Sequence, residues 1–271
     1  MMPRPASLDR VLLNAPIGLG FWDPVSASVV TDGLVVTTRP RHATEPTLRA
    51  QPSPHGIQVF HRLPGLARHV MPWPIDDQTV PAPVNFTFDV FDEYGRFHPF
   101  FVEAQCPVAG LFLPSCLQSS PPDGRYIPMF SLPTRSVPAG MAAVRAELRD
   151  AQSGQPAAFA MLVVEHDGRE LGRSFARADG TVLLIFAYPE PLFASPPSSE
   201  RWSWSLRLTA FYTPVSPVGD IPALCDVLTQ GPARLLIEGS PPIPFPDPLL
   251  EWSHELVLRA PESPYLLIEP A

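Results

Sequence analysis

Hydrophobic and polar positions along the chain alternate mostly with a period of two, over runs of four to ten residues bounded by proline and glycine. Phe86, Phe88 and Val90 fall on one face of such a run while Thr87 and Asp89 fall on the other. Val144, Ala146 and Leu148 likewise oppose Arg145, Glu147 and Arg149. This is the signature of half-buried strands. Strands are predicted at 34–38, 57–61, 86–91 and 97–104, with Asp92-Glu93-Tyr94-Gly95 as the hairpin turn between the last two. The runs from Met161 to Glu165 and from Val182 to Phe186 are more continuously apolar, so they read as more buried strands. Alternation over 202–211 puts Trp202, Trp204, Leu206 and Leu208 on the core side, and 249–258 and 265–268 read as terminal strands. A single helix is predicted over 221–228, with Asp220 as cap, Pro222 in the first turn and Gly231-Pro232 beyond its end.

A strand–turn–strand pattern occurs twice. Asp23-Pro24-Val25-Ser26 lies between apolar stretches and is followed about thirty residues on by His55-Gly56 and another apolar run. Asp150-Ala151-Gln152-Ser153-Gly154 is followed in the same way by Asp179-Gly180 and a strand. The 38 prolines bear on every element, because Pro interrupts helices and cannot donate to a ladder. Regular structure must then come in short runs, and long helices are disfavoured. The expected architecture is all-β: two tandem Ig-like or transthyretin-like sandwich modules with proline-rich loops and one short helix. The boundaries expected are an arm at 1–20, a first module at 21–109, a structured linker at 110–138, and a second module with the C-terminal strands at 139–271.

With 45% hydrophobic and 17% charged residues the chain is of folded globular type. Its net charge is −8, and all 19 basic side chains are Arg, scattered singly among acids. A nucleic-acid binder clusters its cations, so nucleic acid is not an expected partner. The absence of Lys has two readings, a codon bias toward Arg and a selection for planar bidentate ion pairs. Near the start, Val11-Leu12-Leu13 is too brief for a signal core or a spanning helix. A cytoplasmic site of synthesis without membrane insertion is therefore expected. Cys106, Cys116 and Cys225 lack metal-type spacing and read as small buried hydrophobes, with a Cys106–Cys116 bridge as the alternative on spacing.

Candidate chemistry is sparse. His55, His61 and His69 lie within a short span, but none has a second ligand at the spacing a zinc site uses, and no metal or other cofactor is expected. No G-x-S-x-G elbow is present, and Ser115-Cys116 would need His98 or His166 brought to it by the fold. The acidic pairs Asp76-Asp77, Asp92-Glu93 and Glu165 with Asp167 fall at turns, where solvation and turn hydrogen bonds account for them. Gly18-Leu19-Gly20 precedes no predicted helix, so no phosphate cradle follows. No catalytic residue is proposed, and the chain is read as not an enzyme.

Aromatic residues in proline-rich loops remain. Met71-Pro72-Trp73-Pro74 and Phe245-Pro246-Asp247-Pro248 are difficult to bury inside small sandwiches and suit a protein interface. The interface candidates are Trp73, Met71, Phe245, Trp22 and Tyr265. Carbohydrate or peptide binding is the alternative, and it would expose Trp73, Trp202 or Trp204 on a concave face.

The segment 140–189 carries the turn Arg149-Asp150-Ala151-Gln152-Ser153-Gly154-Gln155-Pro156, then Ala178-Asp179-Gly180-Thr181-Val182, and closes on Ala187-Tyr188-Pro189. It resembles the carboxypeptidase regulatory-like and transthyretin-like β-sandwich modules, which are typically noncatalytic. More broadly, the stretches Asp32-Gly33-Leu34-Val35-Val36, His55-Gly56-Ile57-Gln58-Val59-Phe60, Gly95-Arg96-Phe97-His98-Pro99-Phe100 and Tyr265-Leu266-Leu267-Ile268-Glu269-Pro270 resemble proteins encoded beside the tube and sheath components of phage-tail-like contractile injection systems. That resemblance implies a structural subunit of a multiprotein particle, in a baseplate or accessory position, with other particle subunits as partners. It brings no catalytic residues with it.

Overall fold

The computed structural model describes residues 15–40, 42, 45–66, 83–108, 110–117, 125–190 and 202–271. Among these the first 139 positions supply β1 (Ile17–Leu19), β2 (Phe21–Asp23), β3 (Ser28–Val29), β4 (Leu34–Thr38), β5 (Gln51–Pro52), β6 (Gln58–Phe60), β7 (Val84–Asp92), β8 (Phe100–Cys106), β9 (Leu111–Phe112) and β10 (Ile127–Pro128). The remainder supplies β11 (Met141–Asp150), β12 (Met161–His166), β13 (Arg169–Phe175), β14 (Thr181–Ala187), β15 (Ser203–Ser205), β16 (Arg207–Phe211), α1 (Leu224–Leu228), β17 (Pro232–Ile237), β18 (Ile243–Pro244), β19 (Leu249–Glu251), β20 (Leu256–Leu258) and β21 (Leu266–Pro270). The chain is all-β with several sheets and one five-residue helix among the described residues. Prolines stand at strand ends, as in β5, β10, β17 and β21, where their missing N–H is tolerated.

Three small sheets build the N-terminal half. The order β4-β7-β8 is an antiparallel sheet whose central strand buries Phe86, Phe88 and Val90, the face its alternation predicted. A second sheet runs β5-β6-β1-β9 and a third β10-β2-β3. β1 therefore lies inside a sheet, with Ile17 and Leu19 fully buried, and the arm expected to extend to residue 20 ends before it. The 110–138 stretch contributes β9 and β10, which pair in parallel with β1 and β2. Two-residue strands have no periodicity to read, so only tertiary pairing defines them.

In the C-terminal half β11 belongs to two sheets. Its first seven residues pair antiparallel with β14, and Val144 to Ala146 also pair in parallel with β20. Its last three, Leu148 to Asp150, pair in parallel with β21. The second sheet continues from β21 through β17, β16 and β12 to β13. Ala142, Val144, Ala146 and Leu148 of β11 thus face Leu162, Val164, Val182, Leu184, Leu266 and Ile268 in one core, a sandwich interior in which a single strand turns the corner.

That second sheet is buried on its outer face as well. Met161, Val163 and Phe175 project into the first core beside Phe97, Phe100 and Phe130, and Phe130 meets Phe175 at 5.2 Å. The more continuous apolar run from Met161 to Glu165 is accounted for by this double burial. On the opposite sheet Leu183 and Ile185 of β14 are covered by Val25, Val137 and Met141. Each large side chain so buried contributes about 2 kcal/mol.

Three local expectations fail. The 202–211 stretch is not one strand, because Leu206 leaves the ladder to donate its N–H to Pro248 O at 2.9 Å, and β15 pairs with β19 while β16 pairs with β12. The 249–258 stretch is likewise split into β19 and β20 around a turn at Trp252-Ser253, where Ser253 has φ +62°. The helix starts later than predicted, and Ala223 rather than Asp220 precedes it without a side-chain cap. Its position is set by tertiary contact: Leu224 and Val227 are fully buried in the first core, and Pro222 O accepts the Phe101 N–H at 3.0 Å.

A disulfide links the two halves, and a buried ion pair braces the N-terminal one. Cys116 is bonded to Cys225 of the helix, with Cα atoms 5.4 Å apart, while Cys106 stays free and fully buried. The Cys106–Cys116 alternative is thereby replaced by a pairing across 109 residues, which sequence spacing gave no means of seeing. Arg135 grips the buried carboxylate of Asp23 with two bonds of 3.0 and 2.7 Å, and its guanidinium lies 4.8 Å over the Phe97 ring. Asp23 also accepts from Val25 N and the Ser26 hydroxyl. Burial raises the Asp23 carboxyl, but the bonds from Arg135 and Ser26 and the Arg135 charge outweigh it and hold the group below its ordinary value. Asp150 and Asp179 form the same kind of turn, each accepting from a backbone N–H two residues on. Gly180 of the second copy is fixed by space: at φ +82°, an added Cβ would lie 2.4 Å from Leu148 O.

Replacing both Cys116 and Cys225 by Ser, or reducing the bridge, is expected to lower stability by about 5 kcal/mol, the loop-closure value for a loop of this length. Urea unfolding with and without a dithiol reads this directly, and equal midpoints would refute it. Arg135→Ala leaves a buried carboxylate without its counter-charge and should cost about 3 kcal/mol, more than any exposed Arg→Ala substitution such as Arg234→Ala measured alongside.

Candidate functional site

Of the five interface candidates, Trp22, Phe245 and Tyr265 are among the described residues. Trp73 and Met71 lie outside the described residues. Trp22 on β2 is half-buried beside Tyr126, with ring centroids 6.4 Å apart. Phe245 is half-buried against the second core and donates its N–H to Leu235 O. Tyr265 gives its hydroxyl proton to Glu238 at 2.9 Å, and its ring lies under the Arg149 guanidinium at 4.3 Å. Phe245 and Tyr265 thus pack within the fold.

Trp22 borders an apolar groove of about 710 Å³ that runs between the halves. Val25, Met129 and Phe130 line one side, Met141, Leu183 and Ile185 the other, and Glu170 and Arg173, bonded to each other at 2.5 and 2.6 Å, stand at its polar part. Cys116 and Leu228 place the disulfide-linked loop and helix at the same groove.

A second concavity, about 310 Å³, is formed where the turn after β19 meets the start of β11. Trp252, Tyr188, Ser253, His254 and Glu255 line one side, and Pro138, Ala139, Gly140 and Met141 the other. Behind it stands a stack of aromatic rings. Trp252 packs on Tyr188 at 4.5 Å and edge-on against Trp202 at 5.4 Å, and Tyr188 packs on Trp204 at 5.3 Å. The backbone fixes the same arrangement, since Trp252 N donates to Trp202 O and Ser253 N donates to the Tyr188 hydroxyl. Trp204 is buried and Trp202 half-buried, its indole nitrogen without a partner among the described residues. The ring that reaches solvent is Trp252. Alternation correctly put Trp202 and Trp204 on the inner face, but it could not show Trp252 beside them, because the pairing of β15 with β19 brings it there.

Other chemical candidates are accounted for in structural terms. Cys116 has its sulfur in the disulfide and is no free nucleophile. His166 Nδ1 lies 2.9 Å from Ser205 O, and His69 lies outside the described residues. Among the described residues no three His, Cys, Asp or Glu side chains converge as metal ligands. No helix is long and apolar enough to cross a membrane. Burial pushes the free Cys106 thiol up to about 12. His98 is buried with its ring 4.3 Å from Phe175 at the seam between the halves, and its Nε2 has no partner among the described residues. Burial, reinforced by the Arg177 charge, pushes it down to about 3, against the opposing pull of a Ser131 backbone hydrogen bond and Asp179.

No protein-family model matches the chain, and no curated protein matches it in sequence. Among solved structures, the Bacillus anthracis TIE protein is similar over 95% of this chain and 34% of its own length, at 9% identity and a TM-score of 0.24. The chain therefore spans about a third of that protein.

A histidine whose folded value is lowered from 6.5 to about 3 contributes stability that is complete above the unfolded value and lost as pH falls toward the folded one. Stability should accordingly decline between about pH 6.5 and 4.5, before most carboxylates protonate. His98→Phe should flatten that decline in urea titrations at stepped pH, and an unchanged slope would exclude His98 as its source.

Proposed function

We propose that the protein acts through its surface, as a noncatalytic subunit of a multiprotein particle. The observation that carries this reading is the distribution of exposed apolar side chains in the last third of the chain. Ile243, Leu249 and Val257 are 54%, 56% and 54% exposed, and all three fall within one short stretch. That stretch consists of β18, β19 and β20, strands of two or three residues separated by Pro246, Pro248 and the Trp252-Ser253 turn. β20 closes one side of its sheet by pairing with β11, and β18 lies off the main path of the other sheet on β17. Apolar groups on short sheet margins are what a neighbouring polypeptide can cover or extend. Proline-braced segments lose little conformational entropy on docking, which favours permanent contacts over transient ones.

The resemblance to proteins of phage-tail-like contractile injection systems supports a baseplate or accessory position, with other particle subunits as partners. The Cys116–Cys225 bridge supports an oxidising setting for the mature chain, as on the outside of a released particle, rather than a permanently cytosolic one.

The purified chain should sediment above its 29.7 kDa monomer mass or co-sediment with tail-like particles. Leu249→Glu combined with Val257→Glu should shift it toward the monomer in sedimentation velocity without changing its circular dichroism. A wild-type chain that stays monomeric and is absent from such particles would overturn the proposal.

A further inference from the structure

We propose that the Trp252 concavity is a binding site for a glycan, with one pyranose ring lying flat on the Trp252 indole. This goes beyond the particle reading and does not rest on it. The volume of about 310 Å³ suits one or two sugar rings. The indole is partly exposed and is held from behind by Tyr188 and Trp202, so its orientation is set before any ligand arrives. A rigid aromatic platform of this kind offers a large contact area with little rotamer entropy left to lose. The lining also includes Pro138, Ala139 and Gly140, which carry small side chains, and Gly140 sits at φ +80° in a turn with nothing near its absent Cβ.

The polar rim matches a hydroxylated ligand. His254 Nδ1 lies 3.0 Å from Trp252 O and donates to it, which leaves Nε2 for a second hydrogen bond. The Tyr188 hydroxyl accepts from Ser253 N and retains its own proton to donate. Ser253 adds a hydroxyl, and Glu255, paired with Arg145, adds a carboxylate held in place. Donors and acceptors are thus mixed around an apolar platform, the complement of a sugar with one C–H face and a hydroxyl edge.

Three other ligand classes fit less well. A quaternary ammonium needs rings spaced apart to enclose it, whereas Tyr188 and Trp252 are packed on each other at 4.5 Å and leave no gap between them. A phosphorylated ligand would meet Glu251 and Glu255 on a chain of net charge −8. A linear apolar peptide would leave the His254, Ser253 and Tyr188 groups without partners.

The test uses the full chain with its disulfide intact and titrates chitotriose, cellotriose, mannotriose and lactose separately, up to about 10 mM each, since single-platform sites bind in the millimolar range. Tryptophan fluorescence and calorimetry are read together. A saturable change with at least one of these sugars is expected, with the affinity reduced about tenfold or more in Trp252→Ala and less in Trp252→Phe, which keeps a stacking face. His254→Ala should weaken binding and leave the emission of the free protein unchanged. Circular dichroism checks each variant, and if Trp252→Ala is misfolded the Phe and His254 variants decide. Absence of a saturable response to all four sugars, binding that survives Trp252→Ala in a folded protein, or saturation by choline chloride instead would each overturn the site. Sedimentation is not part of this readout, so a failed assembly experiment leaves the result interpretable.

Discussion

The structure depends on a sheet that is apolar on both faces. β12 and β13 present Leu162 and Val164 to the sandwich interior and Met161, Val163 and Phe175 to the aromatic core of the N-terminal half. Neither face can be left in water without forfeiting several kcal/mol of burial. The two halves are consequently pressed onto one sheet and share its cost of ordering. The Cys116–Cys225 bridge, the Asp23–Arg135 pair and the Gln230 amide, which donates to Phe159 O and Val227 O, lie around this seam. The buried His98 lies in it. Polar groups at such a seam must be paired or neutral, and the depressed proton affinity of His98 is a direct consequence of that dielectric environment.

Packing the centre so completely moves the remaining apolar surface to the margins. The N-terminal sheets bury most of their phenylalanines, with Phe91 left 38% exposed, and the strands that cover the far side of the second sandwich are too short and too proline-rich to bury everything they carry. Ile243, Leu249, Trp252 and Val257 are what is left over. The same constraint that denies this region long strands also braces it, because each proline removes backbone freedom from a loop that would otherwise fray. A particle contact and an aromatic platform are both natural uses of such a margin. They draw on different atoms: exposed aliphatic side chains for the contact, and a stacked indole with a polar rim for the platform.

Local pattern carried part of this plan. The alternation of Phe86, Phe88 and Val90 against Thr87 and Asp89 gave β7 and its buried face. The more continuous apolar runs in β12 and β14 announced deeper burial, though not which partner would supply it. The Asp-led turns were readable because an Asp carboxylate satisfies the N–H two residues ahead wherever the chain bends there. Trp202 and Trp204 were placed on the inner face, while the surroundings of Trp252, Phe245 and Tyr265 were not legible. Their environments are made by residues far away in the chain: Tyr188 and Trp202 for Trp252, Leu235 for Phe245, and Arg149 with Glu238 for Tyr265.

The amino-acid sequence by itself determined the class of the protein, since period-two alternation and pervasive proline leave short strands as the regular structure the chain can extend. It also determined where the chain turns, since Asp, Gly and Pro act on backbone neighbours within a few bonds. Tertiary structure alone decided that β11 serves two sheets, that Cys225 rather than Cys106 meets Cys116, that a five-residue helix forms without a side-chain cap, and that Trp252 is the indole left in water. Each of these is a contact between segments widely separated in sequence. Their energies exist only after the sheets have assembled, and no local preference encodes which distant surface will arrive.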